Sequence, residues 1–514
     1  MASSEHNLSS PTPARALPNG WPRITESTPV RDLGPGTMDY ERCAALHNEL
    51  LTRAVKGHGG QMPSKPLSWW EARGPSEEVA NSLHPSLIEF LKRAWDEDVL
   101  PPYFRLFTFL GGLKSPNDLR NHQVTWHEEE DEDGRLVKLY ESSHYRVADD
   151  EGILYGFIPS SYPMTDLEAR RADLLISFDQ TTLKATFIED INDTMFITRK
   201  EWSWMPLEVI LDSYLQMVDE KKAQVVSKDQ AKLLKMDFLH GLMEPWIIHQ
   251  YTKADLERAT TAFKRLVRVI ESQIPHRDNY TTVINLPWHN PAIFEDQCIL
   301  PPSSFAHEFL RSISDCSVRF RYVAPGIRFP TVAEFQDQPI TDFITSPHNH
   351  LGQYPGNCPL RILQIDDADY PQPVAHGNYL GLNNISAGFY IPHVVVECPL
   401  FWSNGCRLLL PFAIGALGWA RLSNGQPFGL ADFDYMEEYP EPRDNHGDLY
   451  QAGTTNGITN NHAVQIDKVL NNWADRVERG DWEVDRDGVT GGINKFREAD
   501  TQAHWQKYWI LPSW

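Results

Sequence analysis

Several stretches of the chain repeat apolar residues with the three- to four-residue period of an α-helix. In the longest, 253–274, Leu256 and Phe263 belong to one apolar stripe. Thr252 and Asp255 have the spacing of a helix N-terminal cap at its start. The same period predicts further helices over 38–56, 85–97, 206–220, 304–313 and 461–479, the last ending at Gly480.

Short apolar runs separated by turn-forming residues fill the stretch from 134 to 200 and predict an antiparallel sheet. The predicted strands lie within 136–140, 153–158, 174–178, 185–188 and 195–197. Residues 1–35 are rich in Ser, Pro and Asn, a composition typical of a disordered tail. Residues 36–275 are therefore predicted to form an N-terminal α+β region.

Beyond residue 276, predicted strands alternate with helices, with strands expected at 281–286, 318–324 and 360–365. This alternation is typical of a parallel sheet. We therefore predict an α/β fold class, with a Rossmann-like catalytic domain over 276–440 and a C-terminal helical region over 441–514.

Ligands of such domains bind at the carboxyl ends of the parallel strands. Three polar or turn-forming loops follow predicted strands here: 287–302, the turn at Pro325, and the pair Asp366 and Asp367. We expect these loops to lie together on one rim of the sheet.

One apolar run, 389–401, contains a single carboxylate, Glu397, and a single imidazole, His393. The run predicts either a buried strand or the first turn of a buried helix. In apolar surroundings the pKa of Glu397 rises, because the ionised form is costly to bury. Glu397 is then either a core carboxylate that forms an ion pair with an arginine or a general acid and base in catalysis.

Composition restricts the classes of function. The net charge of −23 argues against a general nucleic-acid binder without excluding a local basic face, and no DNA partner is expected. The six cysteines form no C-x-x-C pair, which favours a reducing compartment. Neither a signal peptide nor a membrane span is indicated, so we predict a cytoplasmic protein without a membrane partner.

Four polar groups are candidates for chemistry. His289 and Asn290 follow a predicted strand and can position or deprotonate a substrate, or can simply form a capped turn. Asp366, Asp367 and Asp369 can hold a cation or a cationic substrate, or can cap the next element.

The other two candidates are a histidine set and a serine pair. His348, His350 and His376 offer a possible transition-metal site within a Pro- and Gly-rich loop. Ser160 and Ser161 follow a strand, where a serine can be a nucleophile if a base reaches it.

The helix at 253–274 also carries basic residues beside its apolar stripe, among them Lys264, Arg265 and Arg268. Such residues usually form a solvated helix face. On an otherwise acidic chain they are also candidates for contacts with a nucleic-acid backbone.

The stretch His393-Val394-Val395-Val396-Glu397-Cys398-Pro399-Leu400-Phe401 resembles the Tyr-x-x-x-Glu-x-Pro-hydrophobic-Phe motif of the cyclodipeptide synthases. The longer arginine-containing fungal branch of that family is similar to this chain in overall character. The resemblance covers 281–420. It implies a Rossmann-like fold, two aminoacyl-tRNA substrates and no cofactor.

The resemblance also implies roles for individual residues. Glu397 would hold the substrate α-amino group, and the tyrosine position is His393 here, with Tyr390 three residues earlier. The family's nucleophile is a serine in the loop after the first strand, and 287–291 contains none; Ser160, Ser161, Ser303 and Ser304 are the alternatives.

Together these features predict a cytoplasmic, tRNA-dependent cyclodipeptide synthase of secondary metabolism that uses arginyl-tRNA and a second aminoacyl-tRNA. The catalytic candidates are Glu397, His393, His289 and Asn290, with Asp366, Asp367 and Tyr390 binding substrate and Lys264, Arg265 and Arg268 binding tRNA. Two alternatives remain: a metal-dependent hydrolase or oxygenase using His348, His350, His376 and Asp366, and a non-catalytic interaction protein.

Overall fold

The computed structural model divides the chain into two compact units, Met1–His249 with Gly457–Asn460, and Gln250–Asn456 with Asn461–Trp514. The residues that it describes are 23–25, 27–31, 33–34, 36–100, 106–107, 110–116, 119, 136–142, 147–148, 154–155, 175–188, 204–227, 246–275, 283–295, 300–338, 359–366, 386–392, 403–423, 425, 428, 447–450 and 464–511. All statements below refer to these residues.

Four of the described helices have 13 residues or more, and the others are short. In chain order they are α1 (Tyr40–Gly57), α2 (Trp69–Arg73), α3 (Glu77–Ser82), α4 (Pro85–Leu91), α5 (Leu207–Asp219), α6 (Lys253–Gln273), α7 (Phe305–Ser312), α8 (Val332–Gln336), α9 (Ile466–Glu478) and α10 (Trp505–Tyr508). Single 3₁₀ segments lie at Glu97–Val99, Pro287–His289, Pro291–Phe294 and Ile493–Asp500.

The described strands form two larger sheets and two hairpin-sized ones. They are β1 (Leu110–Leu113), β2 (Leu136–Ser142), β3 (Val147–Ala148), β4 (Leu154–Tyr155), β5 (Leu175–Asp179), β6 (Lys184–Ile188), β7 (Ala223–Val225), β8 (Trp246–Ile248), β9 (Tyr322–Ala324), β10 (Ile327–Arg328), β11 (Pro359–Ile365), β12 (Gly388–Pro392), β13 (Arg407–Leu409), β14 (Val484–Asp485) and β15 (Gly488–Val489).

The first unit combines helices with the antiparallel sheet β1-β2-β5-β6, so the predicted α+β character and strand direction are confirmed there. Its helices begin where the sequence supplies caps. Asp39 caps α1 by accepting from the Arg42 N–H, and Pro85 opens α4 at the position where its missing N–H costs nothing. The predicted strand at 195–197 lies outside the described residues.

The second unit is built on a sheet with the strand order β13-β12-β11-β10-β9-β15-β14. Helices α6, α7 and α9 cover one face of it and enclose the main apolar core. Phe389 on β12, for example, lies 5.2 Å from the ring centre of Trp473 on α9. Gly326 turns the chain between β9 and β10 at a φ of +68°, a conformation that favours glycine.

The predicted Rossmann-like parallel sheet is not confirmed. Five of the six strand pairs in this sheet are antiparallel, and only β15 and β9 run parallel. The mixed α/β character is correct. The error arose because alternation of strands and helices does not fix strand direction. The chain turns at Pro325 as predicted, but it returns as the short antiparallel strand β10, which the apolar pattern did not predict.

The domain boundaries also differ from the prediction. Helix α6 has the predicted capping box at Thr252 and Asp255, but it belongs to the second unit instead of the N-terminal region. It packs lengthwise against α9, the helix predicted to form a separate C-terminal region. The reason is the apolar stripe of α6, which faces the same core as α9 and the sheet.

Candidate active site

The second face of the large sheet is lined with polar side chains. Side chains alternate between the faces of a strand, and residues directly opposite on neighbouring strands share a face. Arg328 pairs with Gln364, and Tyr390 pairs with both Arg361 and Arg407. We call this surface the polar face; its members are Tyr322, Arg328, Arg361, Gln364, Asp366, Tyr390, Arg407, Leu409 and Asp448.

A β-bulge in β11 sets the direction of Arg361. The register shifts between Arg361 and Leu363, so Ile362 is an additional residue on this strand. At the bulge, the Gln338 side chain makes the hydrogen bonds that the Arg361 backbone would otherwise make to a strand. It accepts from the Arg361 N–H at 2.9 Å and donates to the Arg361 carbonyl at 3.0 Å. The bulge thereby holds a buried arginine in place next to Tyr390.

The Arg361 side chain lies across Gly388 on β12. A Cβ added at Gly388 would lie 2.7 Å from the Arg361 Cδ, so a larger residue there would displace the arginine. The guanidinium Nε and Nη2 lie 3.0 and 3.2 Å from the side-chain oxygen of Gln364 when that amide is oriented to accept. Gly388 and Gln364 are therefore both needed for the observed position of Arg361.

Tyr390 occupies the middle of this arrangement. Its side chain is 1% exposed, and its hydroxyl donates to the Ser386 carbonyl. Arg361 flanks it on β11 and Arg407 on β13. The guanidinium groups of Arg361 and Arg407, on the strands to either side of this phenol, provide hydrogen-bond donors that suit a carboxylate, an ester carbonyl or a phosphate.

Asp448 extends the polar face beyond β13. The segment 447–450 runs beside this strand, with the Leu449 N–H donating to the Leu408 carbonyl at 2.9 Å and Asp448 opposite Leu409. The Asp448 carboxylate is buried, and one oxygen lies 3.7 Å from Arg407 Nη1. Burial raises its pKa to about 6, while Arg407 partly opposes the shift. A carboxyl group with this pKa can take and return a proton near neutral pH.

Sequence reasoning missed Asp448. It lies in an acidic stretch with no hydrophobic period, where a carboxylate is normally solvated. Only the neighbouring hydrophobic residues Leu449 and Tyr450 indicate that the chain is buried there.

At the other end of the sheet, Asp366 joins a separate polar cluster. Its Oδ2 accepts from the Tyr322 hydroxyl at 2.5 Å, and its Oδ1 lies 3.8 Å from Arg328 Nε. Arg328 also binds both oxygens of Glu334, at 2.6 and 2.8 Å, which lowers the pKa of Glu334 to about 2. A substrate guanidinium or a metal cation at Asp366 would have to compete with Arg328.

Two parts of the predicted rim, the Pro325 turn and Asp366, lie together. Asp366 does lie at the Pro325 turn, since its N–H donates to the Gly326 carbonyl. However, β12 runs antiparallel to β11, and Pro392 pairs with Pro359. Pro392, the last described residue of β12, therefore lies at the end of the sheet opposite Asp366, roughly 20 Å away at ~3.3 Å per residue.

His289 and Asn290 have structural hydrogen bonds. The His289 Nδ1 accepts from the Leu286 N–H at 3.3 Å, and Nε2 donates to the Cys316 carbonyl at 3.1 Å. Asn290 caps the following 3₁₀ segment by accepting from the Ala292 N–H. Both ring nitrogens are thus engaged, and the catalytic role of the pair stays a prediction.

The three residues of α6 that were predicted to bind tRNA also have intramolecular partners. Lys264 lies 3.0 Å from Asp315, and Arg265 lies 2.7 Å from both Asp475 and Glu478. The Arg268 Nε donates to the Lys264 carbonyl at 3.1 Å. Arg265 therefore links α6 to α9, and tRNA binding at this helix, which stays a prediction, would compete with these ion pairs.

Several predicted residues lie outside the described part of the chain. They are Glu397, His393, Asp367, Asp369, His348, His350, His376, Ser160 and Ser161. Of the serine alternatives that are described, Ser304 is buried and caps α7 by accepting from the His307 N–H. Within the described residues, no group of three or more metal-ligating side chains occurs.

Comparison with protein-family models, curated proteins and solved structures gives no match for this chain. None of the described helices is long and apolar enough to cross a membrane.

Proposed function

We propose that this protein is a tRNA-dependent cyclodipeptide synthase that joins an arginyl residue to a second aminoacyl residue. The observation that carries the proposal is the position of β12. This strand lies between β11 and β13, holds Tyr390 between two arginines, and continues directly into the motif that contains His393 and Glu397.

The polar face supplies groups that suit this chemistry. In the first step the α-amine of one substrate attacks the ester carbonyl of the other, forming an amide and releasing a tRNA hydroxyl. The second amine then attacks the remaining ester, closing the ring and releasing the second tRNA. The amine protons pass through Glu397 and His393 to the departing hydroxyls. No ATP is consumed, because the two esters are already activated.

Arg361 and Arg407 can stabilise the negative charge that develops on the attacked carbonyl oxygen. Asp448, whose pKa burial raises to about 6, can serve as a second proton carrier on the same face. The proposal uses Tyr390, in place of the family's motif tyrosine, to orient the substrate.

The Rossmann-like fold and the cytoplasmic location are part of the same proposal. The parallel pair β9 and β15 supports a Rossmann-like core, and the antiparallel pairs from β10 to β13 count against it. Aminoacyl-tRNAs are made for translation, which places the reaction in the cytoplasm. The free thiols of Cys43, Cys316 and Cys406 fit a reducing compartment.

The test is direct product detection. Purified protein is incubated with arginyl-tRNA and each other aminoacyl-tRNA in turn, and diketopiperazines are identified by mass spectrometry. We expect an arginine-containing cyclic dipeptide that disappears when ribonuclease is added first. Glu397→Gln should abolish the product, whereas Glu295→Gln, at an exposed position, is the matched control.

A normally folded Glu397→Gln variant with full activity would contradict the proposal. So would product formation from free arginine and ATP without tRNA. Elemental analysis of the same preparation tests the metal-enzyme alternative, since stoichiometric zinc or iron together with loss of activity in a chelator would favour it.

A further inference from the structure

The side chains of Arg421, Trp505 and Trp509 form a contiguous array on the second unit. The Arg421 guanidinium lies 5.2 Å from the ring centre of Trp505, and the Trp505 and Trp509 rings lie 5.7 Å apart. All three side chains are partly exposed. Aromatic rings and guanidinium planes of this kind are the surfaces on which unpaired nucleic-acid bases stack.

The array is held rigidly. Trp509 Nε1 donates to the Leu422 carbonyl at 2.9 Å, and Arg421 Nη1 donates to the Gly418 and Ala420 carbonyls at 2.8 and 3.0 Å. Little side-chain freedom is left to lose when a ligand binds, which favours affinity.

The loop 415–420, which includes the Gly418 and Ala420 carbonyls, is itself fixed by hydrogen bonds. The buried Asp500 carboxylate accepts four backbone N–H groups, from Gly415, Leu417, Trp419 and Ala420, at 2.7 to 3.0 Å. Because this carboxylate is fully occupied by the backbone, it is not available to pair with the neighbouring arginine side chains.

The local charge is unusual for this chain. Among the described residues, Arg421 forms no ion pair with a carboxylate; its guanidinium donates to backbone carbonyls and lies over the Trp505 ring. The chain as a whole has a net charge of −23. An uncompensated guanidinium group beside two partly exposed aromatic rings complements a ligand that has both phosphates and planar bases.

A proline-rich peptide is the other ligand that commonly binds exposed tryptophans. It would gain nothing from the Arg421 cation, and the indole N–H of Trp509 already donates to the Leu422 carbonyl. That donor therefore cannot bind a peptide carbonyl. The chemistry favours RNA.

We infer that Arg421, Trp505 and Trp509 form a stacking platform for unpaired RNA nucleotides. The ligand class is the single-stranded 3′ end of a tRNA, and in naming it the inference rests on the proposed function. The platform also differs from the sequence-based expectation, which placed tRNA contacts on α6.

The experiment measures fluorescence anisotropy of a labelled RNA hexamer ending in CCA with the full-length protein. Trp505→Ala should weaken binding about tenfold or more, while Trp505→Phe, which keeps a stacking ring, should retain most of it. Arg421→Gln should weaken binding and reduce the salt dependence by about one counterion.

Trp70 in the first unit provides the matched control. It is also partly exposed and has a cation over its ring, with Lys92 Nζ 5.7 Å from the ring centre, but Lys92 is in an ion pair with Glu89. Trp70→Ala should leave hexamer binding unchanged.

Unchanged hexamer affinity in a folded Trp505→Ala variant overturns the platform, as does tighter binding of a proline-rich peptide than of the hexamer at the same site. If cyclic dipeptide forms but Trp505→Ala leaves hexamer binding unchanged, only the platform fails. If Trp505→Ala weakens hexamer binding but no cyclic dipeptide is made, only the proposed function fails.

Discussion

Phe389 and Tyr390 are neighbours in sequence and equally buried, at 0% and 1% exposure, yet they face opposite sides of the large sheet. Phe389 packs against Trp473 in the apolar core, whereas Tyr390 lies between Arg361 and Arg407. Burial alone therefore does not distinguish packing from chemistry. The two residues differ in the side chains that surround them on their own face of the sheet. Substitutions on each face can test this difference.

The largest effect is expected on the apolar side. Phe389→Ala removes a ring from the core and should lower the free energy of unfolding by about 3–5 kcal/mol. Urea unfolding of the wild-type and variant proteins measures the loss. Phe389→Leu is the control and should cost less than about 1.5 kcal/mol. A loss below about 1 kcal/mol for the alanine variant would mean that the apolar face tolerates substitution as well as the polar face does.

Asp448 tests the polar side through pH. Folding raises its pKa from 3.8 to about 6, so the folded state binds its proton more tightly than the unfolded state. Its contribution to stability is therefore fully present below about pH 4 and is lost as the pH rises through about 6. The shift corresponds to about 3 kcal/mol.

Asp448→Asn should reduce the fall in unfolding free energy over this pH range by up to that amount. Urea titrations at pH 4, 5, 6 and 7 make the measurement. Identical pH profiles for the variant and wild-type proteins would show that the buried carboxyl does not titrate as proposed.

Tyr390→Phe should separate stability from activity. Removing the hydroxyl breaks the bond to the Ser386 carbonyl and should cost about 1 kcal/mol. Cyclic dipeptide formation should fall by much more than the folded fraction does. Tyr251→Phe is a suitable control, because its hydroxyl also donates to a backbone carbonyl, that of Ser303. Equal activity of the two variants would assign Tyr390 to packing.

Glu334 should show the opposite pH dependence to Asp448, with a smaller effect. Its hydrogen bonds from Arg328 lower its pKa to about 2. That stabilisation is present above the ordinary glutamate pKa and is lost as the pH falls from about 4.5 towards 2. Glu334 is 35% exposed, so solvent screening reduces the effect to less than about 1 kcal/mol. Comparing Glu334→Gln with wild type over pH 2–5 checks the sign.

The sequence predicted elements whose determinants are local. The capping box of α6 and the stop of α9 near Gly480 both depend on residues within one turn of the helix end, and both are present. Strand β11 was found because its apolar run is long. The predicted strand at 318–324 begins four residues before β9, because the buried residues Val318 and Phe320 continue the apolar pattern there. Strand β10 was missed, because a two-residue strand leaves little hydrophobic signal.

The candidate site was harder to predict. Tyr390 was identified through a motif, but its arginine neighbours come from strands distant in sequence. Arg361 is placed there by a bulge, and Arg407 and Asp448 by a register that no local pattern encodes.

By itself, the amino-acid sequence determined where α4 and α6 begin and that the molecule mixes helices and sheets. Each of these depends on hydrophobic period and on hydrogen bonds between residues close in the chain. The tertiary structure decided strand direction, which puts Asp366 and Pro392 at opposite ends of the sheet, and the identity of the polar face. Both arise from pairing between distant strands, whose register is selected by the packing of the whole unit.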